Sequence, residues 1–306
     1  MKNSIYFTTL LTGVFSWLFF ITAHAQDDEV INESALLESL AVNVEKLTAN
    51  YPGVGVSALT TSCMNVDESS RIDFVPGKAS KRKLTGEELY LQRKPAVLMI
   101  GRYYNCGQCH EMHTTVMATG AVISPDGLCV TNYHVLDNII NPDSTGAGLD
   151  SIYFVGTSDG TVYPITEVLA YNQSNDVAVF KIETGGKQLP FIPLSSRAPV
   201  GSEVFAISHP RDNLYYLSKG IVARYVTNRY GHAAQPTTRM DITADYAVGS
   251  SGGPILDEFG NLVGLVSSTR SLHTGPQPKS EVGYFQMSIK SAVPVASLWA
   301  LLDNDA

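Results

Sequence analysis

Short apolar runs interleaved with polar positions recur through most of the chain, at 96–100, 118–124, 128–133, 151–155, 161–169, 177–182, 203–208, 214–226, 238–242, 254–256, 262–268 and 282–289. Runs of this length with a period near two predict strands that turn one face toward a core. Turn-forming stretches such as Ser124-Pro-Asp-Gly127, Ser158-Asp-Gly160 and Asp257-Glu-Phe-Gly260 part them. About a dozen short strands, with helical patterns confined to the two ends, predict an all-β barrel or sandwich.

The N-terminal third reads differently. Ile31, Leu37, Leu40, Ala41, Val44 and Leu47 fall at helical spacing and predict one amphipathic helix that stops before Tyr51-Pro-Gly53. A helix packed on the body is the simpler reading, and a partner-binding arm the other. Thr85-Gly-Glu-Glu88 has the capping-box pattern and predicts a short helix reaching Lys94. Ahead of both, Lys2, the apolar stretch 5–21 and Ala23-His-Ala25 form a signal-peptide pattern. A retained anchor is its rival, but the apolar stretch is short and diluted by Thr, Ser and Gly. The expected division is a leader at 1–25, a helical and extended segment at 26–94 and the strand-rich domain at 95–306. The mature protein is then periplasmic or secreted, with no stable membrane association.

A chain of 306 residues, 44% hydrophobic, is long enough for a large core. Its formal charge of −8 and its single small basic cluster, Lys81-Arg-Lys83, argue against a nucleic-acid partner.

The candidate chemistry begins at Gly249-Ser-Ser-Gly-Gly-Pro254. Glycines on both sides of Ser251 let the backbone bend so that its hydroxyl stands exposed while the amides of Gly249 and Ser251 converge as an oxyanion hole. A serine hydroxyl needs a base, and the base needs an orienting group. His134 ends the run Gly127-Leu-Cys-Val-Thr-Asn-Tyr-His134, and Asp176 opens Asp176-Val-Ala-Val-Phe-Lys-Ile182. These supply both.

In the order His, Asp, Ser, the blocks 118–134, 175–182 and 249–254 resemble the three catalytic blocks of trypsin-like serine proteases, most closely the bacterial HtrA-type branch. Leu217-Ser-Lys-Gly-Ile-Val222 resembles the strand that precedes the nucleophile block there. The resemblance spans roughly 90 to 295. It implies two packed antiparallel six-stranded β-barrels of the chymotrypsin-like kind with short helices at the ends, and an endopeptidase acting on protein or peptide through an acyl-enzyme, with no metal or cofactor required. Two departures stand out. Ser250 occupies the place where digestive relatives carry the aspartate that pairs with a newly released N-terminus, so activation by that ion pair is not expected. About a dozen residues follow Lys290-Ser-Ala-Val-Pro294, so the peptide-binding PDZ domain usual in the HtrA branch is not expected either.

Counting back from Ser251 puts Asp245 where trypsin-type enzymes hold an acid at the base of the primary pocket, which would favour Arg or Lys before the cut. Tyr246 could instead fill that pocket, and Asp245 could be a turn residue. Cys106-Gly-Gln-Cys109-His110, with His113 beyond, is open to three readings: a Cys106–Cys109 disulfide, favoured by an oxidising compartment; a zinc site; or attachment of c-type haem. Cys129 reads as a buried strand residue, with a bridge to Cys63 as the other option. Beside the protease reading stand a catalytically silent scaffold of the same fold and a haem or metal redox module.

Overall fold

Strand pairing closes two separate rings. In the computed structural model, residues 30–50, 59, 66–140, 151–228, 236–274 and 284–303 are described; the leader reading and Cys63 lie outside them. The first barrel runs β2 (Val97–Asn105), β3 (Met112–Val122), β4 (Leu128–Thr131), β7 (Val177–Ile182), β6 (Val162–Asn172) and β5 (Ile152–Gly156) around its circumference. The second runs β10 (Thr237–Ile242), β13 (Phe285–Pro294), β12 (Leu262–His273), β11 (Pro254–Asp257), β8 (Glu203–Ser208) and β9 (Tyr216–Asn228). Every neighbour pair in both rings is antiparallel. Closure leaves neither barrel an unpaired edge. The expected pair of six-stranded barrels is therefore the observed architecture.

Each ring is filled by apolar side chains from its own strands. Leu98, Ile100, Val130, Val179 and Phe180 are fully buried on strands of the first, and Val204, Val222, Met240, Ile255 and Val263 on strands of the second. At about 25 cal/mol for each Å² of apolar surface removed from water, every such side chain contributes roughly 1.5–3 kcal/mol.

The end segments brace this body. Helix α1 (Glu33–Asn50) lays Leu40, Val44 and Leu47 on the first barrel, where Val44 and Leu47 pack with Phe154, and Asn43 Nδ2 donates to the Gly160 carbonyl at 2.8 Å. This is the body-packed reading of that helix. Helix α2 (Gly86–Arg93) opens with the full capping box: Thr85 Oγ1 accepts from the Glu88 amide at 3.1 Å, and Glu88 Oε2 accepts from the Thr85 amide at 2.9 Å. Among the described residues no helix is long and apolar enough to cross a membrane.

Three features depart from the sequence reading. The run expected as strand through 133 pairs only over β4, after which the chain turns into helix α3 (Tyr133–Ile140). Tyr133 and Leu136, buried at a spacing of three, carry the helical signal. A two-residue parallel pair, β1 (Ile72–Asp73) with β14 (Leu302–Asp303), follows the short C-terminal helix α4 (Val295–Trp299) and was too brief for periodicity to mark. The hairpin β2–β3 extends beyond the barrel as a paired arm out to Asn105 and Met112, with Cys106 to Glu111 as its tip.

Candidate active site

The base and its orienting group both come from the first barrel. Strand β4 ends at Thr131, and the start of α3 sets His134 at the barrel rim with its side chain 49% exposed. Asp176 precedes β7 in a left-handed conformation, φ 59°, which an aspartate tolerates better than most residues. The buried Asn132 donates from Nδ2 to the Asp176 carbonyl at 3.0 Å, tying the two segments together. His134 then meets the carboxylate twice: its ring Nδ1 lies 2.9 Å from Asp176 Oδ1, and its backbone amide donates to the same oxygen at 3.2 Å. This fixes the ring with Nε2 facing away from Asp176.

Opposing effects act on the imidazole. Partial burial pulls its pKa down, but the hydrogen bond to Asp176 and the charges of Asp176 and Asp137 outweigh it, so the value stands above the ordinary 6.5.

The second barrel supplies the nucleophile. Gly249, at φ 94°, turns the chain where a side chain could not go: an added Cβ would lie 2.5 Å from the His209 carbonyl oxygen. Within the following turn the Ser250 amide donates to the Ala247 carbonyl and the Gly253 amide to Ser250, at 3.0 and 2.9 Å. The amides of Gly249 and Ser251 donate to no acceptor among the described residues. Ser251 is half-buried, and its hydroxyl is likewise unbonded, so the structure does not close a Ser251–His134 hydrogen bond. Such contacts commonly tighten only when substrate arrives.

Two residues that sequence reasoning missed lock the halves together. Thr119, fully buried on β3, donates its amide to the Ser251 carbonyl at 2.9 Å and its hydroxyl to the Gly249 carbonyl at 2.9 Å. One first-barrel residue thus holds the backbone on both sides of the nucleophile position. Ser267 on β12 reaches the other way, its hydroxyl donating to Asp176 Oδ2 at 2.7 Å. Neither had a signal in the sequence beyond lying in a strand, because each acts through a contact about 90 to 130 residues away.

The turn beneath the loop is strained. Arg211, Asp212 and Tyr215 all take positive φ, and the Arg211 amide donates to the Val248 carbonyl at 2.8 Å. His209 at its base is neutral: burial drives its pKa down to about 3, and its Nδ1 accepts from the Tyr215 amide. Ser250 is buried in an uncharged pair, accepting from Ser208 Oγ at 2.9 Å. That place holds no ion pair.

The two specificity candidates separate. The Asp245 side chain is 81% exposed with Lys290 Nζ 3.5 Å away, so it is not the buried pocket acid expected from its position. The turn reading fits it, since its carbonyl accepts from Ser218 Oγ at 2.6 Å. Tyr246 is buried, and its hydroxyl donates to the Ser268 carbonyl at 3.1 Å, bridging the segment before the nucleophile to β12.

At the arm tip the expected disulfide is not formed. Cys106 and Cys109 are free thiols with sulfurs 3.2 Å apart, and Cys109 Sγ lies 2.9 Å from His113 Nε2. Hydrogen bonds from the Gln108 amide and the Cys109 thiol lower the Cys106 pKa to about 7. Cys129 is a buried free thiol on β4, as its strand position predicts.

Residues 118–265 match the model of the trypsin-like peptidase domain family. Among curated proteins the chain is 31% identical over 156 residues to "Protease Do-like 5, chloroplastic" of Arabidopsis thaliana, covering 49% of this chain and 47% of that one. It is 33% identical over 165 residues to "Probable periplasmic serine endoprotease DegP-like" of Pseudomonas savastanoi pv. phaseolicola, covering 53% and 31%. It is 27% identical over 206 residues to "Serine endoprotease DegS" of Escherichia coli K12, covering 64% and 53%. The chain thus spans about half the length or less of these relatives.

Proposed function

We infer that this chain, which carries a trypsin-like peptidase domain of the HtrA type, is a periplasmic serine endopeptidase whose triad is Ser251, His134 and Asp176. The observation that carries the reading is the 2.9 Å contact of His134 Nδ1 with Asp176, beside a serine loop whose Gly249 and Ser251 amides are unspent.

In the proposed reaction Ser251 Oγ attacks the scissile carbonyl while its proton passes to His134 Nε2. The oxyanion is received by the Gly249 and Ser251 amides, a contribution of about 2.7–4 kcal/mol per donor. Breaking the C–N bond returns the proton to the leaving amine, and water then clears the acyl-enzyme by the reverse use of His134. Asp176 holds the ring tautomer and stabilises the imidazolium. Exposure of His134 leaves that face open to a polypeptide substrate.

Tyr246 narrows the primary pocket in this reading, its buried ring held in place by the bond of its hydroxyl to the Ser268 carbonyl. Small aliphatic side chains before the cut are then favoured over Arg or Lys. Export rests on the leader pattern, and the periplasm is favoured by relatives whose names place them there.

Fluorophosphonate labelling tests the assignment. Wild-type protein should take up one equivalent, and Ser251→Ala, which should cost about 10⁶ in kcat, should take up none. A wild type that stays unlabelled while folded would favour the silent scaffold, and labelling that persists in the variant would place the nucleophile elsewhere.

A further inference from the structure

The catalytic reading leaves the arm tip unused. Among the described residues, Cys106, Cys109 and His113 form the one group of three or more His, Cys, Asp or Glu whose ligand atoms converge within 4.8 Å of one another. The pairing of β2 with β3 produces this convergence. Tyr104 opposes His113 and Asn105 opposes Met112, so the loop carrying both thiols folds back over the imidazole. Gly107, at φ 71°, makes the bend, with its amide held by Asn105 Oδ1 at 2.8 Å. The Gln108 amide points at Cys106 Sγ at 3.4 Å, and the Tyr104 ring lies 5.8 Å from that of His113.

We propose that Cys106, Cys109 and His113 form a binding site for a thiophilic divalent cation of the Zn²⁺ class, with the fourth tetrahedral position open to water. The donor set chooses the metal: two sulfurs and one imidazole nitrogen suit a borderline-soft d¹⁰ ion and suit Mg²⁺ or Ca²⁺ poorly. The dimensions fit with a small adjustment. Zn–S bonds of about 2.3 Å and Zn–N bonds of about 2.0 Å place tetrahedral ligand atoms roughly 3.4–3.8 Å apart. The observed 3.2 Å between sulfurs and 2.9 Å between Cys109 Sγ and His113 Nε2 therefore need to open by about half an ångström each, a shift that side-chain rotation at an exposed tip can supply. Binding forms two metal–sulfur bonds and one metal–nitrogen bond, and both thiol protons pass to solvent. Two thiolates and a neutral ring balance the charge of the cation. No electron is transferred.

The geometry also separates this site from haem attachment, which would use His110 as the iron ligand. His110 is not part of the converging group. The bound ion would cross-link an exposed tip that otherwise lacks a core, since residues 105–112 are all exposed. The tip adjoins a cleft bordered by Tyr103, Glu111 and His113 on one side and by Leu37, Val42 and Glu45 of α1 on the other.

Cobalt(II) titration of the reduced full chain under anaerobic conditions tests the proposal. One equivalent should bind, with the visible bands of tetrahedral thiolate-bound cobalt, and one equivalent of Zn²⁺ should bleach them. Cys106→Ser and Cys109→Ser should each weaken binding by at least about a hundredfold, and so should His113→Gln, given that even outer-shell losses cost tenfold to a hundredfold. His110→Gln should bind as wild type. Far-UV circular dichroism and melting temperature, unchanged in the apo variants, show that the exposed tip was altered without unfolding the body. Absence of binding to reduced protein overturns the site, and so does an affinity indifferent to His113→Gln or lost with His110→Gln. A covalent haem adduct on the purified protein would also overturn it.

Discussion

The two barrels contribute to the cleft in opposite ways. The first gives an orienting carboxylate whose bonding is complete: Asp176 receives the His134 ring, the His134 amide and Ser267, and its carbonyl receives Asn132. The second gives groups left open, with two amides and one hydroxyl bonded to nothing among the described residues. The contrast follows from what each must do. A carboxylate that orients an imidazole works best when immobilised, since any unsatisfied lone pair would let it rotate. Oxyanion donors are useful only if the protein has not already spent them. Backbone curvature keeps them unspent, and this is why the nucleophile loop carries Gly249, Gly252 and Gly253.

If that contrast is right, the greatest loss after removal of the nucleophile comes from the first barrel. Asp176→Asn keeps the shape and the Ser267 contact but favours the wrong His134 tautomer. Its kcat should fall by about 10⁴, measured on a peptide substrate, while the melting temperature moves little. A loss under tenfold would assign the orienting role to another carboxylate. On the second barrel, Gly249→Ala forces a Cβ to within 2.5 Å of the His209 carbonyl oxygen at a φ of 94°. The peptide must rotate, misaiming one oxyanion donor and costing about 10²–10³ in kcat. The strain should also lower stability by about 1–3 kcal/mol, read from chemical denaturation. Full activity in this variant would mean that the Gly249 amide does not face the reacting carbonyl.

The bond that crosses between barrels comes next. Ser267→Ala removes one donor from Asp176 Oδ2 and should lower kcat by about tenfold with KM unchanged, equivalent to about 1.4 kcal/mol. Wild type and variant are best compared across pH, because His134 must be neutral to act as base. Its pKa is raised in the fold, so kcat/KM should climb through a limb lying above 6.5. The sign for stability is the reverse. The His134–Asp176 interaction supports the fold fully below the unfolded value and fades as pH rises through the folded one. Exposure of the ring screens that contribution, so the activity limb is the readout to use. A limb at or below 6.5 would mean that Asp176 is not coupled to the imidazole in solution.

This division between satisfied and open groups also explains what the sequence made legible. Strands appeared as alternation, the capping box as Thr85 and Glu88 three apart, and the nucleophile loop as clustered glycines, because each is a local rule acting over a few residues. Thr119 and Ser267 were invisible. A threonine or serine on a strand looks the same whether it faces solvent or clamps a distant loop, and only barrel closure brings Thr119 to Gly249 and Ser267 to Asp176. The helix after β4 was hidden for a related reason: an apolar run of that length suits strand and helix alike, and the barrel ends the strand at Thr131. At the arm tip, spacing alone allowed disulfide, metal or haem. Register decided which histidine joins the sulfurs, and register is a property of the pair of strands.

The smallest effect is expected where position in the sequence promised a large one. Asp245 sits six residues before Ser251, but its carboxylate is exposed, and its nearest charged neighbour is Lys290. An exposed acid beside a lysine offers a basic substrate side chain little, because high dielectric and the neighbouring cation both weaken its field. Asp245→Ala should therefore change kcat/KM by less than about twofold for every residue before the cut, Arg and Lys included. Tyr246 supplies the contrast within the same segment. Shortening that buried ring should enlarge the pocket and shift preference toward bulkier apolar residues, by roughly tenfold for one or two added methylenes. Peptide-library profiling of both variants measures the two effects together. A selective loss of Arg and Lys cleavage in Asp245→Ala would show that its carboxylate reaches the bound side chain after all, and that the segment around Tyr246 rearranges when substrate enters.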